Sequence, residues 1–149
     1  MKITLAGAAD SAEWATLRQA LWPYHGLDRH RADIAQLLET AGDTANFIAR
    51  TDEGVAIGLA EAALRHDYVE GCKSSPVAFL EGIYVDPAHR RHGVARQLVD
   101  AVEGWAVDRG IREFASDAAL DNLDSHRMHA ALGFEETQRV VFFRKLLRP

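Results

Sequence analysis

The sequence predicts an α/β fold: a mixed, twisted central sheet flanked by helices. Two observations carry this. The apolar pattern runs strand, helix, helix, three strands, helix, strand, helix, strand along the chain. The unit from Val77 to Asp117 is strand–helix–strand, and such a crossover makes its two strands parallel.

Each element has a local reason. Ile3 to Leu5 is a short strand. Asp10 with Glu13 three residues on has capping-box spacing, and Trp14, Leu17 and Leu21 follow at helical intervals until Pro23. A second helix spans about Arg29 to Ala41, with Ile34, Leu37, Leu38 and Ala41 inward and Gly42 as its stop. Asn46 to Thr51, a turn at Asp52-Glu53-Gly54, and Val55 to His66 read as a hairpin. Asp67 to Pro76 is a polar connection. Val77 to Val85 is an apolar strand broken by Glu81 and Gly82. Val94, Ala95, Leu98, Val99, Val102, Trp105 and Ala106 form one stripe of a helix that stops at Gly110. Phe114 to Asp117 is a strand, Asn122 to Leu132 a helix, and Arg139 to Leu147 the last strand.

The chain has 149 residues with 48% hydrophobic and 26% charged, which fits one globular domain over 1–149 and excludes a mostly disordered chain. Its 17 Lys plus Arg against 22 Asp plus Glu give −5, which argues against a general nucleic-acid binder and suits a cationic small substrate. Cys72 is the single cysteine, so no intramolecular disulfide forms, and a reducing cytoplasmic setting is expected. No apolar run approaches the about 20 residues of a membrane span, and Asp10 and Glu13 interrupt any signal-peptide core.

The most informative segment is Val85-Asp86-Pro87-Ala88-His89-Arg90-Arg91-His92-Gly93-Val94-Ala95-Arg96, between a strand and an amphipathic helix. A helix start offers N–H groups without intrahelical acceptors and a positive dipole end. Gly93 and Ala95 let an anion approach that backbone, and Arg90, Arg91 and Arg96 add positive charge. These are the physical ingredients of a diphosphate site. Neither the P-loop nor the dinucleotide fingerprint is present. The plainer alternative is a basic loop before an ordinary helix.

The spacing Arg90-x-x-Gly93-x-Ala95 resembles the acetyl-coenzyme A signature of the GNAT acyltransferase superfamily. Asn122, Ser125, His129 and Gly133-Phe134 resemble its later helix, with His129 where Tyr is usual. The blocks Ala20-Leu21-Trp22-Pro23, Arg65 to Val77, Phe79 to Val85, Ala115-Ser116-Asp117 and Leu132 to Thr137 are similar to the aminoglycoside 6′-N-acetyltransferases within it. The resemblance implies a sheet opened at a V-shaped gap that receives the cosubstrate, acetyl-CoA. It also implies acetyl transfer to an aminoglycoside 6′-amine, and a homodimer. By the same resemblance, the backbone of Ile83, Tyr84 and Val85 holds the pantetheine arm, residues 90–96 (His92 and Val94 included) hold the diphosphate, and Asn122 faces the cosubstrate.

The residue types fit that chemistry. Glu81 and Asp117 are carboxylates at or beside a core, which is costly unless they are paired or wet; at adjacent strand ends they would form an acidic pocket. Pairing with arginines or backbone is the alternative. An alkylammonium must lose a proton before it attacks a thioester, and Glu81 or Asp117 is the candidate acceptor of that proton, directly or through water. His129, ahead of Tyr84 or solvent, is the candidate donor to the leaving thiolate. It could equally pack on the core. Trp22, His25 and Tyr68 offer flat rings to sugars and ammonium groups, and Glu136 is a further acceptor-site candidate. Trp22 could instead be a helix-end core residue, and Glu135-Glu136 a solvated turn. A covalent route through Cys72 lacks a base in the pattern. The pairs His89/His92 and His126/His129 lack a third ligand at metal-site spacing, so no metal is expected. A GNAT enzyme for a polyamine or peptide amine, or a non-catalytic coenzyme A sensor, are the rival readings.

Overall fold

The computed structural model describes residues 1–149, which fall into two compact units, Met1–Asp117 and Ala118–Pro149. The first is organised by a sheet whose spatial order equals its chain order: β1 (Lys2–Leu5), β2 (Thr44–Arg50), β3 (Ala56–Arg65), β4 (Val77–Val85) and β5 (Phe114–Ser116). The first four strands are antiparallel neighbours joined without crossovers. Helix α3 (Val94–Asp108) carries the chain between β4 and β5, and this pair is parallel, as the sequence predicts.

Helices α1 (Ser11–Leu21) and α2 (Leu27–Glu39) bury Trp14, Ala15, Leu17 and Ile34 against Ile48 and Leu59. Helix α3 buries Val94, Leu98, Val99, Val102 and Ala106. Residues alternate between faces along a strand. Leu59 therefore meets the α1–α2 cluster, while its neighbour Gly58 lies under α3, where an added Cβ would sit 3.1 Å from Val94 and 3.2 Å from Leu98. Helices on both faces explain why Ala45 to Ala49 and Ile57 to Ala62 are buried almost without interruption.

Two irregularities shape β4. On its β3 side, Glu61 pairs with Gly82 but Ala62 pairs with Leu80, so Glu81 is an extra residue in a β-bulge. On its β5 side, the ladder ends at Leu80–Ser116, and residues 81–85 run on with no strand opposite that edge. This is the opening in the sheet that the resemblance implies.

Three expectations are corrected here. Asp10 and Glu13 make no capping box. Asp10 accepts the Gly7 N–H at 2.8 Å, and both carboxylates turn to Arg50, at 2.7 and 2.9 Å. Helix α2 ends at Glu39, one turn of Thr40 back-bonding before Gly42, so Ala41 is exposed rather than inward. The strand expected over Arg139–Leu147 is absent. In the second unit, α4 (Leu123–Ala131) ends at Gly133 with φ 92°, and the chain beyond has no regular structure. A strand needs a ladder partner, and none is present for this segment. Val140, Val141, Phe142, Phe143, Leu146 and Leu147 are consequently exposed.

Gly82 is where α1 meets β4. A Cβ there would lie 2.6 Å from the Trp22 ring and 2.9 Å from Leu21. Gly82→Ala is therefore expected to destabilise the fold by about 1–3 kcal/mol, the usual cost of overpacking. Urea unfolding checks this; an unchanged midpoint would show that Trp22 is not held against the strand.

Candidate active site

The bulge aims Glu81 out of the sheet. Arg65 meets both of its oxygens, Nε to Oε1 at 3.0 Å and Nη2 to Oε2 at 2.7 Å. The Arg65 guanidinium lies 3.4 Å from the centroid of the Phe79 ring. Asp117 is exposed and follows Ser116, so it stands one register step beyond the Leu80–Ser116 pair, in step with Glu81. Each carboxylate thus follows the last position at which β4 and β5 pair, Leu80 on β4 and Ser116 on β5, and Asp117 does not line the cavity described next. The expected position at strand ends is corrected for Glu81, which sits in mid-strand because the bulge, and not the end of the strand, exposes it.

Glu81 lines a cavity of about 460 Å³. Helix α1 and the residue after it contribute Arg18 and Trp22; α2 and its cap contribute Asp33, Gln36, Leu37 and Thr40; β3 contributes Glu61. Behind this wall lies a buried polar network. Arg18 donates to Glu61 at 2.5 Å, to Asp33 at 3.1 Å and to His30 Nδ1 at 3.2 Å. Trp14 Nε1 donates to the other Glu61 oxygen at 2.7 Å. Because His30 Nδ1 accepts, Nε2 carries the hydrogen and donates to the Trp22 carbonyl at 3.1 Å. Burial pushes the Glu61 carboxyl up, against the opposing pull of Arg18 and Trp14. Removing one partner of such a buried pair costs about 3–5 kcal/mol, because the other charge is stranded. The network fixes Trp22, and the Arg18 guanidinium lies 4.8 Å from its ring.

Of the acceptor-site candidates, Trp22 and Glu81 meet at this cavity. His25 does not line it; its ring packs edge-on to Tyr24 and His30, at 4.7 and 6.0 Å between centroids. Tyr68 does not line it either and is 73% exposed. Arg18, His30, Asp33 and Glu61 were not singled out in the sequence. The available signal was a charge within an apolar pattern: Glu61 in Ile57–Leu64, and Arg18 four residues after Trp14.

Ile83, Tyr84 and Val85 lie half-buried on the open edge of β4, and the chain then turns through Pro87–His89. Arg91 has φ 65° and Gly93 φ 79°. Left-handed residues alternating along a turn direct successive N–H groups inward, the arrangement that cradles anions. A Cβ on Gly93 would meet nothing within 4 Å, so the space above the turn is open. Val94 is buried and anchors α3, while Ala95 keeps its first turn uncrowded. Arg91, His92 and Arg96 are exposed around it. Arg90 is turned back: its Nε donates to the Val85 carbonyl at 2.9 Å, bracing strand to turn. His89 faces Asp86 at 3.1 Å, and no group of three or more His, Cys, Asp or Glu side chains converges on one point.

In the second unit, Asn122 Oδ1 accepts the Ser125 N–H at 3.2 Å, so that oxygen is committed to capping α4. His129 Nδ1 lies 2.7 Å from the Ser125 carbonyl and therefore carries a hydrogen, and its ring meets Phe134 edge-on at 5.1 Å. Glu136 is exposed and pairs with Arg139, which holds its carboxyl below the usual range. Cys72 is held protonated by burial and by Glu113 beside it, which opposes a thiolate nucleophile.

A sheet split beside an acidic cavity, with an anion cradle opening α3, suits transfer of an acyl group from a diphosphate-bearing donor to an amine. The profile of the Acetyltransferase (GNAT) family matches residues 13–134, and the chain belongs to that family. The aminoglycoside N(6′)-acetyltransferase type 1 of Salmonella typhimurium is 55% identical over 132 residues, 89% of this chain and 90% of that protein. The structure of AAC(6′)-Iy in complex with the bisubstrate analogue CoA-S-monomethyl-acetylneamine superposes with a TM-score of 0.92 at 51% identity, covering 98% of each chain. The 6′-N-acetyltransferase AAC(6′)-Ih of Acinetobacter baumannii also gives 0.92, at 48% identity over 98% of each chain.

Glu113 closes the connection after β3. It accepts from Lys73 N at 2.8 Å, Ser74 N at 2.7 Å and Ser74 Oγ at 2.5 Å, and these bonds, the Ser74 hydroxyl foremost, lower its pKa. A carboxyl lowered on folding adds stability above its unfolded value of about 4.5 and loses it as pH falls through the folded value. The stability difference between wild type and Glu113→Gln should therefore be present at pH 7 and fade below pH 4.5, read by urea unfolding across that range. A difference independent of pH would refute it.

Proposed function

We propose that this chain transfers the acetyl group of acetyl-CoA to the 6′-amine of aminoglycosides, by direct attack within a ternary complex, and so confers resistance to them. The observation that carries the reading is the acidic cavity at the Glu81 bulge, set on the same strand that leads to the Arg91–Gly93 cradle. The relatives' names agree with it. Glu81 and Asp117 draw in the cationic amine, and one of them takes its proton, directly or through water. Trp22 forms a wall of the acceptor site. The open backbone edge of residues 83–85 lies along the thioester arm and offers it hydrogen bonds. The cradle and Arg91 and Arg96 receive the diphosphate. In its doubly protonated form His129 hands a proton to the departing thiolate from Nε2, while Nδ1 keeps the hydrogen it shares with the Ser125 carbonyl.

The reading treats residues 1–149 as one catalytic domain, supported by a family match that runs across both units. It also takes the protein as a cytoplasmic homodimer. The exposed apolar side chains of Val140 to Phe143, Leu146 and Leu147 support the dimer, since bare patches of this kind mark association surfaces. No helix is long and apolar enough to cross a membrane.

Coenzyme A release is the direct test. An aminoglycoside with a 6′-amine should turn over while its 6′-hydroxyl counterpart, spermidine and a peptide panel do not. Asp117→Asn should lower kcat/KM by about 10²–10⁴-fold if this group moves the proton, with the unfolding midpoint preserved. Turnover of spermidine or peptide alone would reassign the acceptor, and wild-type kinetics for Asp117→Asn would remove that residue from the reaction.

A further inference from the structure

Two arginine–glutamate pairs contribute to the cavity, Arg18–Glu61 with both partners and Arg65–Glu81 through Glu81 alone, and they differ in kind. Arg18 and Glu61 are sealed, with side chains 8% and 6% exposed, and their bonds continue into Trp14, His30 and Asp33. Arg65 and Glu81 stand open, at 42% and 35%. A buried pair is a permanent part of the wall. An exposed pair is worth little against water and can be exchanged for another cation.

We propose that Arg65 is a specificity-determining residue: it fills the Glu81 carboxylate as a built-in cation that the acceptor's ammonium must displace. The inference rests on the reading of Glu81 as an acceptor-site group. Three features carry it. Arg65 takes one in-plane position on each Glu81 oxygen, so an incoming ammonium meets a carboxylate whose charge and paired fork positions are already held by a cation. The guanidinium has a seat of its own over Phe79, 3.4 Å from the ring centroid, which remains after the carboxylate is surrendered. Phe79 is 5% exposed and fixed in the sheet, so the seat does not move with the ligand. The consequence is a threshold. An acceptor with a single amine gains only the exchange of one cation for another. A polycation that also engages Asp33 or Asp117 binds with a surplus.

The test is a double-mutant cycle on binding, read as the dissociation constant of a 6′-amine aminoglycoside by titration calorimetry. Arg65→Met keeps a stem over Phe79 and removes the competitor; the acceptor should bind about two- to fivefold tighter, the range set by an exposed pair. Arg65→Lys keeps the charge but loses the two-pronged contact and should tighten binding by less. In a Glu81→Gln background, Arg65→Met should change nothing. Unchanged or weaker binding by Arg65→Met overturns the proposal. Equal tightening in both backgrounds also overturns it, since that would be bulk charge acting at a distance. Failure of the underlying reading has a separate signature: Glu81→Gln alone would then keep wild-type affinity and turnover.

Discussion

The structure depends on one constraint: β4 must pair with β3 along its whole length while β5 leaves it after Leu80. A strand edge without a neighbour presents rows of backbone donors and acceptors, and most proteins cover or blunt such an edge. Here it is kept open over residues 81–85 and put between an acidic cavity at one end and an anion cradle at the other. The bulge at Glu81 is part of the same solution. It increases local twist, helps the neighbouring strands diverge, and releases one side chain from the alternation that would otherwise bury it.

The buried network around Arg18 is the counterpart of that open edge. An edge left unpaired contributes no packing of its own, so the cavity wall needs another source of rigidity. Arg18 supplies it by linking α1, α2 and β3 through three acceptors at once. His30 extends the chain of bonds to the Trp22 carbonyl, and Gly82 admits the Trp22 ring against the strand. The aromatic wall is thereby fixed from its backbone and from its ring. Charge inside the core therefore serves position more than stability, since such pairs gain little net energy over apolar packing.

Much of this was legible in the sequence where a rule of period or chemistry applies within one segment. The α3 stripe from Val94 to Ala106, the parallel β4–β5 pair and the Arg90-x-x-Gly93-x-Ala95 turn follow from local pattern. Glu81 stood out because a carboxylate in an apolar strand needs a reason. The bulge that supplies the reason is a one-residue change of register, set by two strands together and invisible in either alone. Glu61 shows the same signal as Glu81 with the opposite outcome, sealed against Arg18, and only tertiary placement separates them. Asn122 has the residue type of both a ligand-facing amide and a helix cap, and the cap is what its oxygen does here. The run from Arg139 to Leu147, rich in β-branched and aromatic residues, has strand character, but a strand is a property of pairs.

Gly58 has a consequence of this kind at the other end of the site. Its hydrogen lies where a methyl would press on Val94, the first residue of α3, and on the Tyr84 carbonyl of the paired side of β4, 3.1 and 3.2 Å away. The missing carbon therefore acts as a spacer of zero thickness between the sheet and the helix that carries the cradle. Both the strand β4 and the turn before α3 are spaced from this one point. A shift of tenths of an ångström here would move one relative to the other and so, on the proposed assignment of the site, change the reach of the thioester toward the acceptor amine. Reaction rates are steeply sensitive to such misplacement. The spacing of strand and helix is thus written in β3, in a residue with no side chain.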